Sequence, residues 1–274
     1  MKTLLPFLFS LWYVYATILI TVPNEKDTFL SLDKNLKVAI PVTVCIRFKL
    51  KWYLTNQVIF SSKGDTFRLS LQPQEGQGWI RLNTVYVLFK IMKDNFQAYL
   101  WHHLCYTLDK ETFMVIMDGE QVYQSKYSNT TLTQLTSTNM FLERTKIQQI
   151  RLGSLVSNEI AFSHYEDFRG ELTELNIWNK ALSKAEMMEL TKTCEVANPA
   201  PDILNWSEDL TLYLSGVEDM SKIDLAQLCD QTVERRRIVQ VLLNQDDAIH
   251  TCNVLNGKLA YPSTIDEYNT WKSK

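Results

Sequence analysis

Short apolar stretches that alternate with polar residues, repeated from one end of the chain to the other, constrain this fold more than any other feature. In "VTVCIRFKL" (42–50) the period of two puts Val44, Ile46 and Phe48 on one face and Cys45 on the other. "QVIFSS", "TFRLSLQ", "TVYVLFKI", "LCYTLD", "TFMVIMDGEQVY" and "QIRLGSL" follow at short intervals. Asp118-Gly119, set between two apolar runs, reads as a tight hairpin turn. Many short strands, with no long helices between them, specify an all-β chain built as an antiparallel β-sandwich. One short helix is well signalled. In "SKAEMMELTK", Ser183 and Glu186 have capping-box spacing, and Leu182 is placed to staple onto Met187. Because it follows the strand "ELTELNIW", it is expected to lie on the sandwich rather than to cross between parallel strands.

The strand pattern runs from about Val22 to Leu214, and the ends differ from it. At the N-terminus, Lys2 precedes the uncharged apolar run "LLPFLFSLWYVYA", and Val14 and Ala16 are small enough for the two positions a signal peptidase reads. This predicts a signal peptide over 1–16 and a secreted chain. The alternative is an uncleaved membrane anchor, since apolar character continues through "TILITV" to Val22. Past Gly216 the chain becomes charged with helix-like spacing, and 217–245, including Arg235-Arg236-Arg237, reads as a solvated linker. Residues 246–274 read as a small separate unit rich in helix, with capping-box spacing at Thr264 and Glu267. The chain is 22% charged and 46% hydrophobic with a formal net charge of -3, so neither nucleic acid nor an anionic membrane has an electrostatic reason to bind it.

Secretion fixes how the five cysteines are read, because disulfides are the default in an oxidising compartment. The sequons at Asn129 and Asn205 agree with that route and mark expected glycosylation sites. "WHHLCYTLDK" (101–110) offers three readings: metal ligands, a nucleophile with its base, or half of a disulfide. His102 and His103 are adjacent and point to opposite faces of a strand, so they cannot share a metal. His103 and Cys105 share a face, but no further His/Cys/Asp/Glu group follows at zinc-like spacing. A free thiol nucleophile would be exposed to oxidation outside the cell. The disulfide reading stands, with Cys45, in another predicted strand, as partner. By count, Cys194 then pairs with Cys229, leaving Cys252 to the terminal unit.

These residues also carry a resemblance. "HLCYT" (103–107) resembles the pentraxin signature, His-x-Cys-x-Ser/Thr followed by Trp, with Leu108 at the last position. "VPNEKDTFLSL" and "VTVCIRF" resemble that family's opening strands, including the cysteine that pairs with the signature cysteine. "VIMDGEQV" is similar to its hairpin, "GELTELNIWNKALSKAEM" to its strand-and-helix segment and "DILNW" to its closing strand. The likeness covers residues 22–216 and implies a jelly-roll sandwich of the concanavalin A and laminin G type. The terminal stretch "AIHTCNVLNGKLAYPSTIDEYNTW" resembles the start of a C-type lectin-like domain, which implies that the chain is a fragment of a longer lectin-containing protein or that the unit is vestigial.

Pentraxins hold ligands such as phosphocholine or anionic sugars through two calcium ions, so the resemblance implies a calcium site. Where the family has Asp-Asn in an early loop, this chain has Asp65-Thr66. Where it has Glu-Gln-Asp after a strand ending in Leu-Gly, this chain has Ser154-Leu155-Val156, and apolar side chains cannot ligate a hard cation. Glu166 falls four before Gly170, where the family has a further ligand, with Asp167 and Glu159 in the same loop. Asp65, Glu159, Glu166 and Asp167 are therefore the candidate ligands of at most one weak calcium site, expected at one end of the sandwich; the alternative is a set of solvated loop acids. The implied function is a secreted module that recognises glycans or phosphorylated surface ligands. A homo-oligomer is the assembly considered for it, and a structural adhesion or oligomerisation unit without small ligand is the alternative. No acidic pair stands on a predicted strand in a way that suggests a glycoside hydrolase, so no enzyme is expected.

Overall fold

The computed structural model describes residues 16–22, 30–32, 34–51, 56–82, 85–91, 100–126, 145–147, 149–153, 165–195, 197–215 and 220–229. Strands are numbered in chain order. One sheet runs β11 (Glu120–Lys126), β10 (Thr112–Met117), β9 (Trp101–Leu108), β4 (Val42–Leu50), β15 (Gly170–Trp178), β1 (Ala16–Val22) and β17 (Met220–Asp224), with every neighbouring pair antiparallel. The second runs β16 (Leu214–Ser215), β2 (Leu30–Leu32), β13 (Ile150–Leu152), β5 (Asn56–Ser62), β6 (Phe67–Gln72), β7 (Gln77–Leu82) and β8 (Val85–Lys90). A short strand, β14 (Tyr165–Asp167), lies parallel to the start of β5, and β3 (Leu36–Val38) pairs with β12 (Thr145–Ile147). This is the expected jelly-roll sandwich.

The alternation seen in the sequence is what closes it. Val44, Ile46 and Phe48 of β4 share one core with Phe67, Leu69 and Leu71 of β6 and Ile80 and Leu82 of β7, all nearly or fully buried. Each such side chain contributes about 1.5–3 kcal/mol by leaving water. Phe60 packs against Phe67 at 4.9 Å between ring centroids. The hairpin turn forms as expected: Asp118 and Gly119 have φ of 51° and 81°, both in the left-handed region that a two-residue hairpin needs.

The outward face of the first sheet is covered. Cys45 and Cys105 stand directly opposite on β4 and β9 and form a disulfide, with Cα atoms 4.1 Å apart. The helix Lys184–Lys192 lies over them, burying Met187 and Leu190 among Ile116, Trp178 and the disulfide. Ser183 and Glu186 form the full capping box, and Leu182 joins Met187 in the same buried cluster. Its entry is tied to β4, because the Leu182 N–H donates to the Thr43 hydroxyl at 2.9 Å. Past the helix, Cys194 bonds to Cys229, with Cα atoms 5.9 Å apart.

Three sequence readings are corrected. The sheet takes in Ala16–Thr21 of β1, whose first five residues pair with Met220–Asp224 of β17, so the fold overruns the limits 22–216 at both ends. Five residues of the supposed linker are therefore strand, and Leu225–Leu228 is a helical turn. "DILNW" contributes only a bridge between Leu204 and Ile177, after which the helix Trp206–Tyr213 begins. Residues 1–15 of the expected signal peptide (1–16), Asn129, Glu159, Cys252 and the expected terminal unit lie outside the described residues. No helix among the described residues is long and apolar enough to cross a membrane.

Candidate functional site

With helices on the first sheet, the β7–β8 half of the second sheet's outward face is the surface left for chemistry. Because Phe67, Leu69, Ile80 and Leu82 point into the core, their alternates Arg68, Ser70, Trp79 and Arg81 point out. The register aligns one row of them across seven strands. Ser215 pairs with Ser31, Ser31 with Arg151, Arg151 with Ser61, Ser61 with Arg68, Arg68 with Arg81, and Arg81 with Tyr86. The next row holds Ser70, Trp79 and Leu88 side by side. Ser61, Arg68 and Ser70 are buried, while the β7–β8 half is open, with Tyr86 and Leu88 51% and 43% exposed.

Like charges directly opposite across strands destabilise a sheet, so Arg68 beside Arg81 requires compensation. Asp65 supplies it. The 3-10 turn Lys63–Asp65 follows β5, with Gly64 and Asp65 both left-handed at φ 76° and 52°. This turns the Asp65 carboxylate back over the sheet, where its Oδ2 lies 2.6 Å from Arg81 Nη1 and 3.1 Å from Arg68 Nη1. A non-glycine residue held in the left-handed region stores about 1–2 kcal/mol, which the two ion pairs offset.

Of the acids read as calcium ligands, Glu159 lies outside the described residues, and the backbone of Glu166 and Asp167 is set apart from Asp65. Glu166 and Asp167 pair with Gln57 and Val58 at the start of β5, whereas Asp65 follows its end at Ser62. Gln57 and Ser62 are five residues apart, about 16 Å along a strand. Calcium needs six or more oxygens, each within about 2.6 Å of one ion. Asp65 Oδ2 already faces two guanidinium groups, and the Thr66 hydroxyl is 3.1 Å from that of Ser62 within the turn. The backbone therefore places Asp65 and Glu166 at opposite ends of β5, not at the shared end expected of them. The cause is the non-local pairing of β14, which no local pattern announces.

Two other clusters are structural. Cys45, His103 and Cys105 place their ligand atoms within 4.8 Å of one another, but the two sulfurs are joined and leave no thiolate donor. Burial, reinforced by the charge of Arg47, holds the His103 imidazole well below its ordinary range, so it is neutral. Arg47 is itself buried, paired with Glu174 and donating to the Thr193 carbonyl, with Nη1 3.4 Å from Cys194 Sγ. Burial pushes the Glu174 carboxyl up, against the pull of Arg47. Glu174 and Asn176 line a pocket of about 330 Å³ with Asn205 and Trp206. Asn205, half-buried, accepts a hydrogen bond from the Ser207 hydroxyl at 2.8 Å within its sequon.

The arginine row was not read from the sequence. Its signal was present in the alternating "FRLS" and "WIR", but which arginines stand side by side depends on strand register.

The sequence profile described as the concanavalin A-like lectin/glucanases superfamily matches residues 24–188, more than half of the chain. No curated protein matches the sequence. Among solved structures, the native heptameric SAP-like pentraxin from Limulus polyphemus superposes with a TM-score of 0.59 at 17% identity, over 78% of this chain and 97% of that one. The full extracellular region of zebrafish Gpr126/Adgrg6 gives 0.54 at 15% identity, over 76% of this chain and 26% of that one. At such identities the likeness speaks to the fold alone. The chain belongs to the concanavalin A-like lectin/glucanases superfamily, with a laminin G-like jelly roll structurally similar to a pentraxin.

Proposed function

We propose that the protein is a secreted, non-catalytic recognition module that binds glycans or phosphorylated surface ligands on the outward face of its second sheet. The observation that carries this is the division of the sandwich: one outer face is taken by the helix and the disulfide, while the β7–β8 half of the other leaves Trp79, Arg81, Tyr86 and Leu88 partly or fully exposed. Calcium contributes at most one weak site in this reading, supported by the Asp65 carboxylate facing Arg68 and Arg81. The two disulfides support an extracellular location. Glycosylation at Asn129 and Asn205, and a terminal C-type lectin-like start, belong to the same reading. The Limulus relative is a heptamer; a homo-oligomer of this chain would turn weak single sites into avid binding.

The test is an array of neutral, sulfated, carboxylated and phosphorylated saccharides and phosphocholine, probed with the secreted protein in calcium and in EDTA. Binding to at least one class, retained in EDTA, is the expected result. Silence in both buffers would contradict recognition and favour the structural adhesion role.

A further inference from the structure

We propose that the Cys194–Cys229 disulfide is a site of thiol–disulfide exchange with an external dithiol, which attacks Cys229 and expels Cys194 as a thiolate onto the Arg47 guanidinium. The two disulfides of the fold differ in access. Cys45 and Cys105 are 1% and 0% exposed, packed beneath the helix Lys184–Lys192 and out of reach of an external thiolate. Cys194 is half-buried, and its partner Cys229 is exposed just past the helical turn Leu225–Leu228. Exchange requires attack on an accessible sulfur, and it is faster the more stable the departing thiolate is.

Arg47 sets which sulfur departs. Its Nη1 donates to Cys194 Sγ at 3.4 Å, its Nε pairs with Glu174 and its Nη2 donates to the Thr193 carbonyl, so the guanidinium is fixed against that sulfur. Arg47 is buried, where its charge is little screened, and a guanidinium beside a thiol favours the thiolate. Burial pushes the Glu174 carboxyl up, so it can take a proton when a thiolate arrives as a second anion on Arg47. In the step itself the external thiolate bonds to the Cys229 sulfur, the S–S bond breaks and its electron pair leaves on Cys194. The second thiolate of the dithiol then attacks the external sulfur and releases Cys229. The dithiol ends as a disulfide, oxidised by two electrons; one of its protons goes to Cys229 and the other to solvent or Glu174. Opening the bond also loosens a wall. Leu225, which packs with Leu228 and Trp101, lines the pocket of about 330 Å³ that holds Glu174 and Asn176. The bond ties this turn and the edge strand β17 to the segment after the helix Lys184–Lys192.

The experiment treats the oxidised full chain with dithiothreitol, quenches with iodoacetamide and maps the alkylated cysteines by peptide analysis. Cys194 and Cys229 should be labelled about tenfold or more faster than Cys45 and Cys105. Glutathione, which cannot complete the second step, should be trapped on Cys229 rather than on Cys194. Hydrogen exchange after reduction should rise over 220–228 and stay unchanged over 42–50 and 101–108. Arg47→Gln should slow the opening about fivefold or more, and Arg47→Lys should restore part of the rate. Should Arg47→Gln not fold, Glu174→Gln, which leaves the guanidinium charge unopposed, should speed the opening. Equal labelling of the two disulfides, glutathione trapped on Cys194, or rates indifferent to the substitution at Arg47 or Glu174 would overturn the proposal.

Discussion

Replacing Cys45 and Cys105 together by alanine is expected to cost about 4 kcal/mol. The bond closes a loop with a sequence separation of 60, and in chain-entropy terms releasing a loop of that size stabilises the unfolded state by about that amount. It joins β4 and β9 at directly opposed positions in the middle of the first sheet, beneath the helix Lys184–Lys192. Its sulfurs also pack among Trp178, Ile116, Met187 and Leu190, so truncation opens a void in a buried cluster. For a domain with ordinary stability of about 5–15 kcal/mol this approaches the threshold of folding. Denaturant titration of the double variant should show a large fall in midpoint. A loss below about 1 kcal/mol would mean that the bond does not form in the native protein.

The second large effect is expected from Gly170→Ala. Gly170 opens β15 and is paired on both sides, with Leu50 of β4 and Val22 of β1. A Cβ added there would lie 2.1 Å from the Lys49 carbonyl oxygen and 2.7 Å from Phe168 Cζ. The first contact is backbone within a hydrogen-bonded ladder, and neither neighbouring strand can move without breaking its own pairs. The cost should sit at the upper end of overpacking, about 3 kcal/mol. Gly64→Ala is the contrast: nothing lies within 4 Å of its Cβ, and only its φ of 76° resists, for about 1 kcal/mol. Thermal unfolding of the pair should rank Gly170→Ala well below Gly64→Ala. The reverse order would show that the close approach of β4 and β15 is not as described.

Those two glycines mark what was legible in the sequence and what was not. Local patterns resolved themselves: the alternation in "VTVCIRFKL", the turn at Asp118-Gly119 and the cap at Ser183-Glu186 each depend on neighbours within a few residues. The disulfides were legible too, since the expected compartment and the count of cysteines left few partners. β1 was missed because an apolar strand directly after the apolar run "LLPFLFSLWYVY" has no boundary signal, and β17 because "MSKID" has too few apolar residues to show a period. The site depended on register. Arg68, Arg81 and Arg151 span more than eighty residues, and only the pairing of β13, β5, β6 and β7 makes them neighbours. The same holds in reverse for Asp65 and Glu166, which the resemblance put together and the parallel pairing of β14 keeps apart.

On this account the Asp65 carboxylate serves Arg68 and Arg81 rather than a cation, and calcium calorimetry on the full chain tests it most directly. The expected result is at most one ion, bound with an affinity of about 10⁻⁴–10⁻³ M, the range of extracellular modules. Tight binding of two calcium ions, abolished in Asp65→Ala, would contradict it, because it would require the Asp65 carboxylate to leave Arg68 and Arg81 and join a complete set of oxygen ligands.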